Sequence, residues 1–220
     1  MVLWLTVGIN YDQKQAMSPA PSHSQQIRLF RNERIEKLTV VTPRGFLATW
    51  AVLLAFIGWT AWGTASLPTA AVLIGAGLIG WGLFEYAMHR FVFHWQPDSP
   101  MLQQFVFIMH GNHHADPNDP LRNLMPPIAG IPINGAVWLT LFVLFGASAN
   151  WAFFGFIAGY IYYDMLHYAC HQWPMKGRVG MMFKRHHMRH HHGAQEGNYA
   201  ISTLFFDRLF RTRVTSLKRG

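Results

Sequence analysis

Two long stretches of the chain carry no Lys, Arg, Asp, Glu or His: residues 45–84 and residues 123–163. At 1.5 Å per helical residue each is roughly 60 Å long, about twice the hydrocarbon thickness of a bilayer. Each is interrupted near its middle, the first around Ser66-Leu67-Pro68 and the second around Gly146-Ala147-Ser148-Ala149-Asn150. These residue types turn or end helices. The expected architecture is all-α and membrane-embedded, with four transmembrane helices at about 46–66, 69–88, 128–146 and 150–168 paired as two hairpins. Core helices of a soluble protein do not need such lengths without one charge.

The polar flanks set an orientation. Arg28, Arg31, Arg34, Lys37 and Arg44 precede the first hairpin, Arg90 and Arg122 lie between the two, and ten Lys or Arg follow the second between Lys176 and Arg219. The hairpin tips carry none, so the positive-inside bias puts both termini and the central loop in the cytoplasm. Eighteen basic against ten acidic residues give +8 and a pI near 10.0. Membrane boundaries account for that charge, and no nucleic-acid partner needs to be invoked. With 51% apolar and 13% charged residues, a disordered chain is excluded. The single Cys170 excludes an intramolecular disulfide framework and a cysteine-built zinc site. Residues 1–10 are apolar but too short to span and lack a basic leader, so no signal peptide is read there, and Met17 is an alternative start. Residues 11–26 read as a flexible arm and 27–39 as an amphipathic helix on the inner membrane surface. The domain plan is residues 1–44 for arm and interfacial helix and 45–220 for the membrane-embedded unit with a histidine-rich helical cap.

Twelve of the thirteen histidines come directly after a charge-free run. A hairpin that leaves and returns delivers both flanks to one face, so these imidazoles converge. His110, His113 and His114 stand at i, i+3 and i+4 on one helical face, and His187, His190 and His191 repeat the offsets. His167 and His171 are i, i+4; His89 and His94 are five apart, so that helix must bend or end if both point one way. Neutral imidazoles so spaced are good ligands for iron, zinc, copper or nickel. Ten histidines divide into two ions of about five ligands each, which leaves room for water or dioxygen. Glu-x-x-His pairs of a carboxylate-bridged di-iron bundle are absent. Iron suits an open, nitrogen-rich redox site, and zinc stays open on spacing alone. Glu85 lies four residues before His89 and Asp164 three before His167, placed to hold a second ring nitrogen. Cys170 points elsewhere on its helix and reads as packing.

The segments EYAMHRFVFH, HGNHHADPNDPLRNLMPP, YDMLHYACHQWP and KRHHMRHHHGAQEGNYAISTLFFDRLFRT, from about residue 84 to 212, resemble the fatty acid hydroxylase superfamily. Within it the chain is most similar to fatty acid 2-hydroxylases, through YDMLHY and the NYAIST…FD..F…T tail. The resemblance implies that His89, His94, His110, His113, His114, His167, His171, His187, His190 and His191 hold two iron ions. His186 and His192 are spares, and Asn198 and Tyr199 match a segment closing the site. It further implies dioxygen-dependent hydroxylation of a lipid acyl chain, free or sphingolipid-borne, at the 2-position. No electron-donor domain is recognisable in the sequence, so electrons are expected from a separate b-type cytochrome, or a ferredoxin with its reductase. The expected location is a bacterial inner membrane with the active site cytoplasmic. A sterol, carotenoid or headgroup hydroxylase or desaturase is the alternative within the superfamily, though HYACH is tighter than the usual carotenoid-hydroxylase spacing. A metal-binding or metal-transporting membrane protein is the alternative outside it, disfavoured because transport wants ionisable ligands within the spans.

Overall fold

The computed structural model describes residues 27–217; the expected arm at 11–26 and the apolar 1–10 lie outside the described residues. Among the described residues every extended element is helical, and the one β feature is an isolated bridge between Gly193 and Leu217.

The first helix, α1 (Glu33–Leu38), is shorter than the predicted 27–39. Asn32 caps it by accepting the amides of Arg34 and Ile35, and Glu36 accepts those of Leu29 and Phe30. The residues before Asn32 are thus folded back onto the helix instead of extending it.

Two hairpins follow. In the first, α2 (Pro43–Ala61) begins where Thr42 accepts the Gly45 amide and Pro43 occupies the first turn. It is joined to α3 (Leu67–Ala87), which runs on as a π-helical turn over Met88–Phe93. In the second, α6 (Pro127–Phe145) ends at Gly146, whose φ of 71° only glycine adopts freely, and α7 (Ala149–Gln172) returns. Asn150 donates to Thr60 and accepts from Trp138, so the two tips lie side by side. Between the hairpins lie α4 (Pro100–Val106), a π turn over Phe107–Gly111 and the short α5 (Asn112–Ala115). After them come α8 (Gly177–His192) and α9 (Phe205–Leu209).

Among the described residues three helices are long and apolar enough to cross a membrane: Pro43–Ala61, Leu67–Phe93 and Pro127–Phe145. Their outward residues include Val52, Trp59, Val72, Ile79 and Val143, each about 70% exposed, a belt suited to lipid. The protein is thus a membrane protein. The fourth long helix, α7, differs: it carries Asn150, Asp164, His167 and His171, and Phe153, Ile157, Tyr160 and Cys170 are buried against its neighbours. It is the core helix on which the hairpins close.

Glycines let α3 and α7 approach backbone to backbone. A Cβ on Gly77 would sit 1.9 Å from the Ala152 carbonyl oxygen, and one on Gly155 would sit 2.1 Å from that of Ile74. This is the small-residue contact that membrane helices use in place of a hydrophobic driving force. It aligns the two helices so that the histidines at their ends meet.

Candidate metal centre

Each histidine is delivered by a helix end. His89 sits in the π turn that ends α3, with His94 just after it. His110 lies in the second π turn, and His113 and His114 in α5. His167 and His171 close α7, and His187, His190 and His191 close α8. The predicted bend between His89 and His94 is a widened turn. The i→i+5 bonding of a π-helix carries residues five apart to one side, and the His94 amide bonds back to the His89 carbonyl.

The ten rings form two groups. Nitrogens of His89, His94, His110, His114 and His190 lie within 4.8 Å of one another, and so do those of His113, His167, His171, His187 and His191. In the first group Nε2 of His89 is 3.1 Å from Nε2 of both His110 and His190, and His114 is 2.9 Å from His110. In the second, His167 is 2.9 Å from His113, and His187 is 2.7 Å from His171 and 3.1 Å from His191. The groups adjoin, with the His114 and His191 ring centroids 4.3 Å apart. The i, i+3, i+4 triplets do not act as one face: His113 parts from His110 and His114, and His190 from His187 and His191. At 100° per residue, i+3 and i+4 fall on opposite sides of residue i, so one triplet feeds two neighbouring centres.

The tautomers argue for cations at these centres. His89 Nδ1–H donates to the Tyr199 carbonyl at 2.6 Å, His190 to that of Gly197 at 2.8 Å, and His167 to that of Asn123 at 2.9 Å. Carbonyls only accept, so each Nε2 presents a lone pair. The Nε2 atoms of His89 and His190 then face each other at 3.1 Å, lone pair to lone pair. That geometry repels unless a cation lies between them. The donor set is entirely imidazole nitrogen and fits iron or zinc. Burial, followed by the neighbouring rings, holds His110, His113, His114 and His187 well below the usual imidazole range. Burial and the neighbouring His94 ring hold His190 at about 3. These rings are therefore neutral at pH 7, the form that binds metal.

The expected carboxylate support is corrected. Glu85 accepts the amides of Ile201 and Ser202, and Asp164 accepts that of Met125; among the described residues neither is hydrogen-bonded to an imidazole. The rings project past the helix ends toward the loops, so loop carbonyls reach Nδ1 first and the carboxylates pin those loops instead. Asn198, at φ 56°, donates to the His186 and Val214 carbonyls and accepts the Val214 amide. The Tyr199 ring packs 5.4 Å from His94 and 5.8 Å from His89 and His190. His186 joins neither group and bonds Asp207 at 2.9 Å; His192 is exposed, and Cys170 is buried away from both groups.

Asp207 escaped the reading of the sequence. Fully buried, it accepts from the amides of Tyr199 and Ala200 and from the Thr212 hydroxyl, fixing the loop whose carbonyls orient His89 and His190. Its signal was the FD..F pattern of the tail, which marked similarity without a role.

Beside the second group lies a mostly apolar cavity of about 170 Å³, reaching His110, His113 and His167 and walled by Leu29, Phe30 and Ile128 among others. Arg122 lines it too, ion-paired to Glu36 and donating to Thr39 at 3.1 Å, which ties the α1 segment over the opening.

The profile of the fatty acid hydroxylase family matches residues 74–212. The chain is similar to human fatty acid 2-hydroxylase, at 32% identity over 212 residues, covering 86% of this chain and 57% of that protein. It is also similar to the ceramide very long chain fatty acid hydroxylase scs7 of Schizosaccharomyces pombe, at 37% identity over 132 residues, covering 57% of this chain and 37% of that one. A solved structure of full-length scs7p, with only the hydroxylase domain visible, superposes with a TM-score of 0.79 at 27% identity, over 86% of this chain and 74% of that chain. Thus the chain spans a little over half the length of the human relative. The chain belongs to the fatty acid hydroxylase family.

Proposed function

We propose that the protein is a membrane-bound, dioxygen-dependent hydroxylase of lipid acyl chains acting at the 2-position. The ten histidines, His89, His94, His110, His113, His114, His167, His171, His187, His190 and His191, are its metal ligands. The observation that carries this reading is the pair of all-imidazole groups with inward lone pairs, opening beside an apolar cavity. An acyl C–H bond has no useful acidity, so acid–base groups alone do not open it. Two iron ions in these groups would supply dioxygen activation, with electrons from a separate donor protein.

The chain's own residues do the rest. Carbonyls of Asn123, Gly197 and Tyr199 hold Nδ1–H and keep Nε2 free. The apolar wall excludes water and accepts methylenes, and the Glu36–Arg122 pair holds its α1 side in place. The 2-position follows from the histidines lying at helix ends, next to the headgroup zone, where a bilayer lipid presents its first acyl carbons. Relatives named fatty acid 2-hydroxylase and ceramide very long chain fatty acid hydroxylase support the same substrate class.

In this reading α7 is the fourth crossing, the embedded unit begins at residue 45, and the basic flanks put the site on the cytoplasmic side of a bacterial inner membrane. Mass spectrometry of lipids from cells expressing the wild type should show 2-hydroxyacyl chains that vanish with His113→Ala. Hydroxylation at the far end of the chain, or product unchanged by the substitution, overturns the reading.

A further inference from the structure

On the side of α8 turned away from the metal-facing histidines lies a second pocket, of about 220 Å³, lined by Met182, Arg185, His186, Arg189, Leu204 and Arg213. Three guanidiniums border it. Arg185 Nε donates to the Met181 carbonyl, and among the described residues Arg189 and Arg213 have neither a hydrogen-bond nor an ion-pair partner. Asp207, which bonds the pocket residue His186, has no ion pair to any of them: it is fully buried, and His186, two amides and Thr212 occupy it. Unpaired positive charge around a concave site of this size suits a tetrahedral oxyanion, which arginine binds through its planar fork.

The surroundings indicate where such an anion comes from. Val179, Phe205 and Leu209 beside the pocket are more than half exposed. Phe206 of α9 lies against the end of the membrane-crossing helix, where a Cβ on Gly82 would meet its ring at 2.8 Å. Exposed apolar side chains interleaved with arginines at the end of a spanning helix are what the headgroup layer accommodates.

We infer that the pocket between α8 and the 204–213 segment is a phosphate-binding site, filled by the headgroup phosphate of a membrane lipid that seats the histidine-bearing cap on the bilayer. The site is separate from the metal centre and its cavity, and stands whether or not the hydroxylase reading does.

The test is binding by the full-length, metal-containing protein in nonionic detergent, using fluorescently labelled phosphatidylglycerol, with inorganic phosphate and diacylglycerol as competitors. The labelled lipid should saturate at one per chain, and inorganic phosphate, but not diacylglycerol, should displace it. The combined R185Q, R189Q and R213Q variant should weaken binding by about tenfold or more, while the charge-matched R34Q, K176Q and R178Q variant should leave it within about twofold. R213Q alone, at an exposed position, should cost about threefold and serves where the triple variant does not fold. No saturable binding of the labelled lipid overturns the lipid assignment. Equal binding by the pocket variant and wild type, equal loss in the charge-matched variant, or displacement by diacylglycerol overturns the proposal.

Discussion

His89 and His190 oppose each other Nε2 to Nε2 at 3.1 Å while each ring donates its Nδ1–H to a backbone carbonyl, Tyr199 for one and Gly197 for the other. Two neutral imidazoles locked in that tautomer have no hydrogen to share across the gap. The relationship suits a cation between the rings, and in the proposed centre it ties the metal affinity of the first group to the loop that supplies both carbonyls.

That dependence predicts an asymmetric effect at Asp207. Its carboxylate accepts the Tyr199 and Ala200 amides and the Thr212 hydroxyl from a fully buried position. Asp207→Ala removes these charge-assisted bonds, at a cost on the order of 3 kcal/mol, and lets the loop drift. Elemental analysis of the purified variant should show a larger loss from the first group than from the second. With His187 and His191 also replaced by alanine to silence the second group, the remaining metal should fall close to zero.

Single ligands separate the groups. His190→Ala and His187→Ala should each lower bound metal from about two ions per chain to about one, because five-ligand groups that adjoin still close around their own ions. Total loss in both variants would show one cooperative centre instead of two.

Packing of α3 on α7 gives a stability prediction. Gly155→Ala pushes a methyl to within 2.1 Å of the Ile74 carbonyl oxygen, so the helices must part, at about 1–3 kcal/mol. Gly75→Ala on the same α3 meets nothing within 4 Å and should be neutral or slightly stabilising. Thermal unfolding in detergent compares the two.

The pair of Glu36 and Arg122 holds the α1 segment over the cavity, with Arg122 only 4% exposed at its side chain. Glu36→Gln removes the closer of the two carboxylates paired with that guanidinium, leaving Asp119 at 3.7 Å, and also weakens the bonds to Leu29 and Phe30. Amide hydrogen exchange across residues 29–38 should quicken about tenfold or more, with metal content unchanged. Equal exchange in the two proteins would show that other contacts hold the segment.

Much of this was legible in the chain. Charge-free runs broken at Pro68 and Gly146 mark two hairpins because bilayer length and helix breakers act locally. The histidine clusters follow those runs, so their meeting at one end follows from topology. The partition of the histidines between two groups was not legible, because His113 and His114 are neighbours in sequence and the side each serves depends on the π turn before them. Nor was the role of Glu85 and Asp164: spacing puts each on a ligand's helix face, but the nearest acceptors for the rings are loop carbonyls that only tertiary folding brings there. The α7 helix shared the charge-free pattern of a lipid-facing span, yet it is buried among its neighbours, and its polar end carries the site.

X-ray absorption at the metal edge, combined with elemental analysis of the purified full-length protein, tests the account at its base. It predicts about two ions per chain, iron in the active form, each surrounded by about five imidazole nitrogens, with the signal halved in His190→Ala. One ion or none per chain, or a shell dominated by carboxylate oxygen or thiolate sulfur, would contradict it.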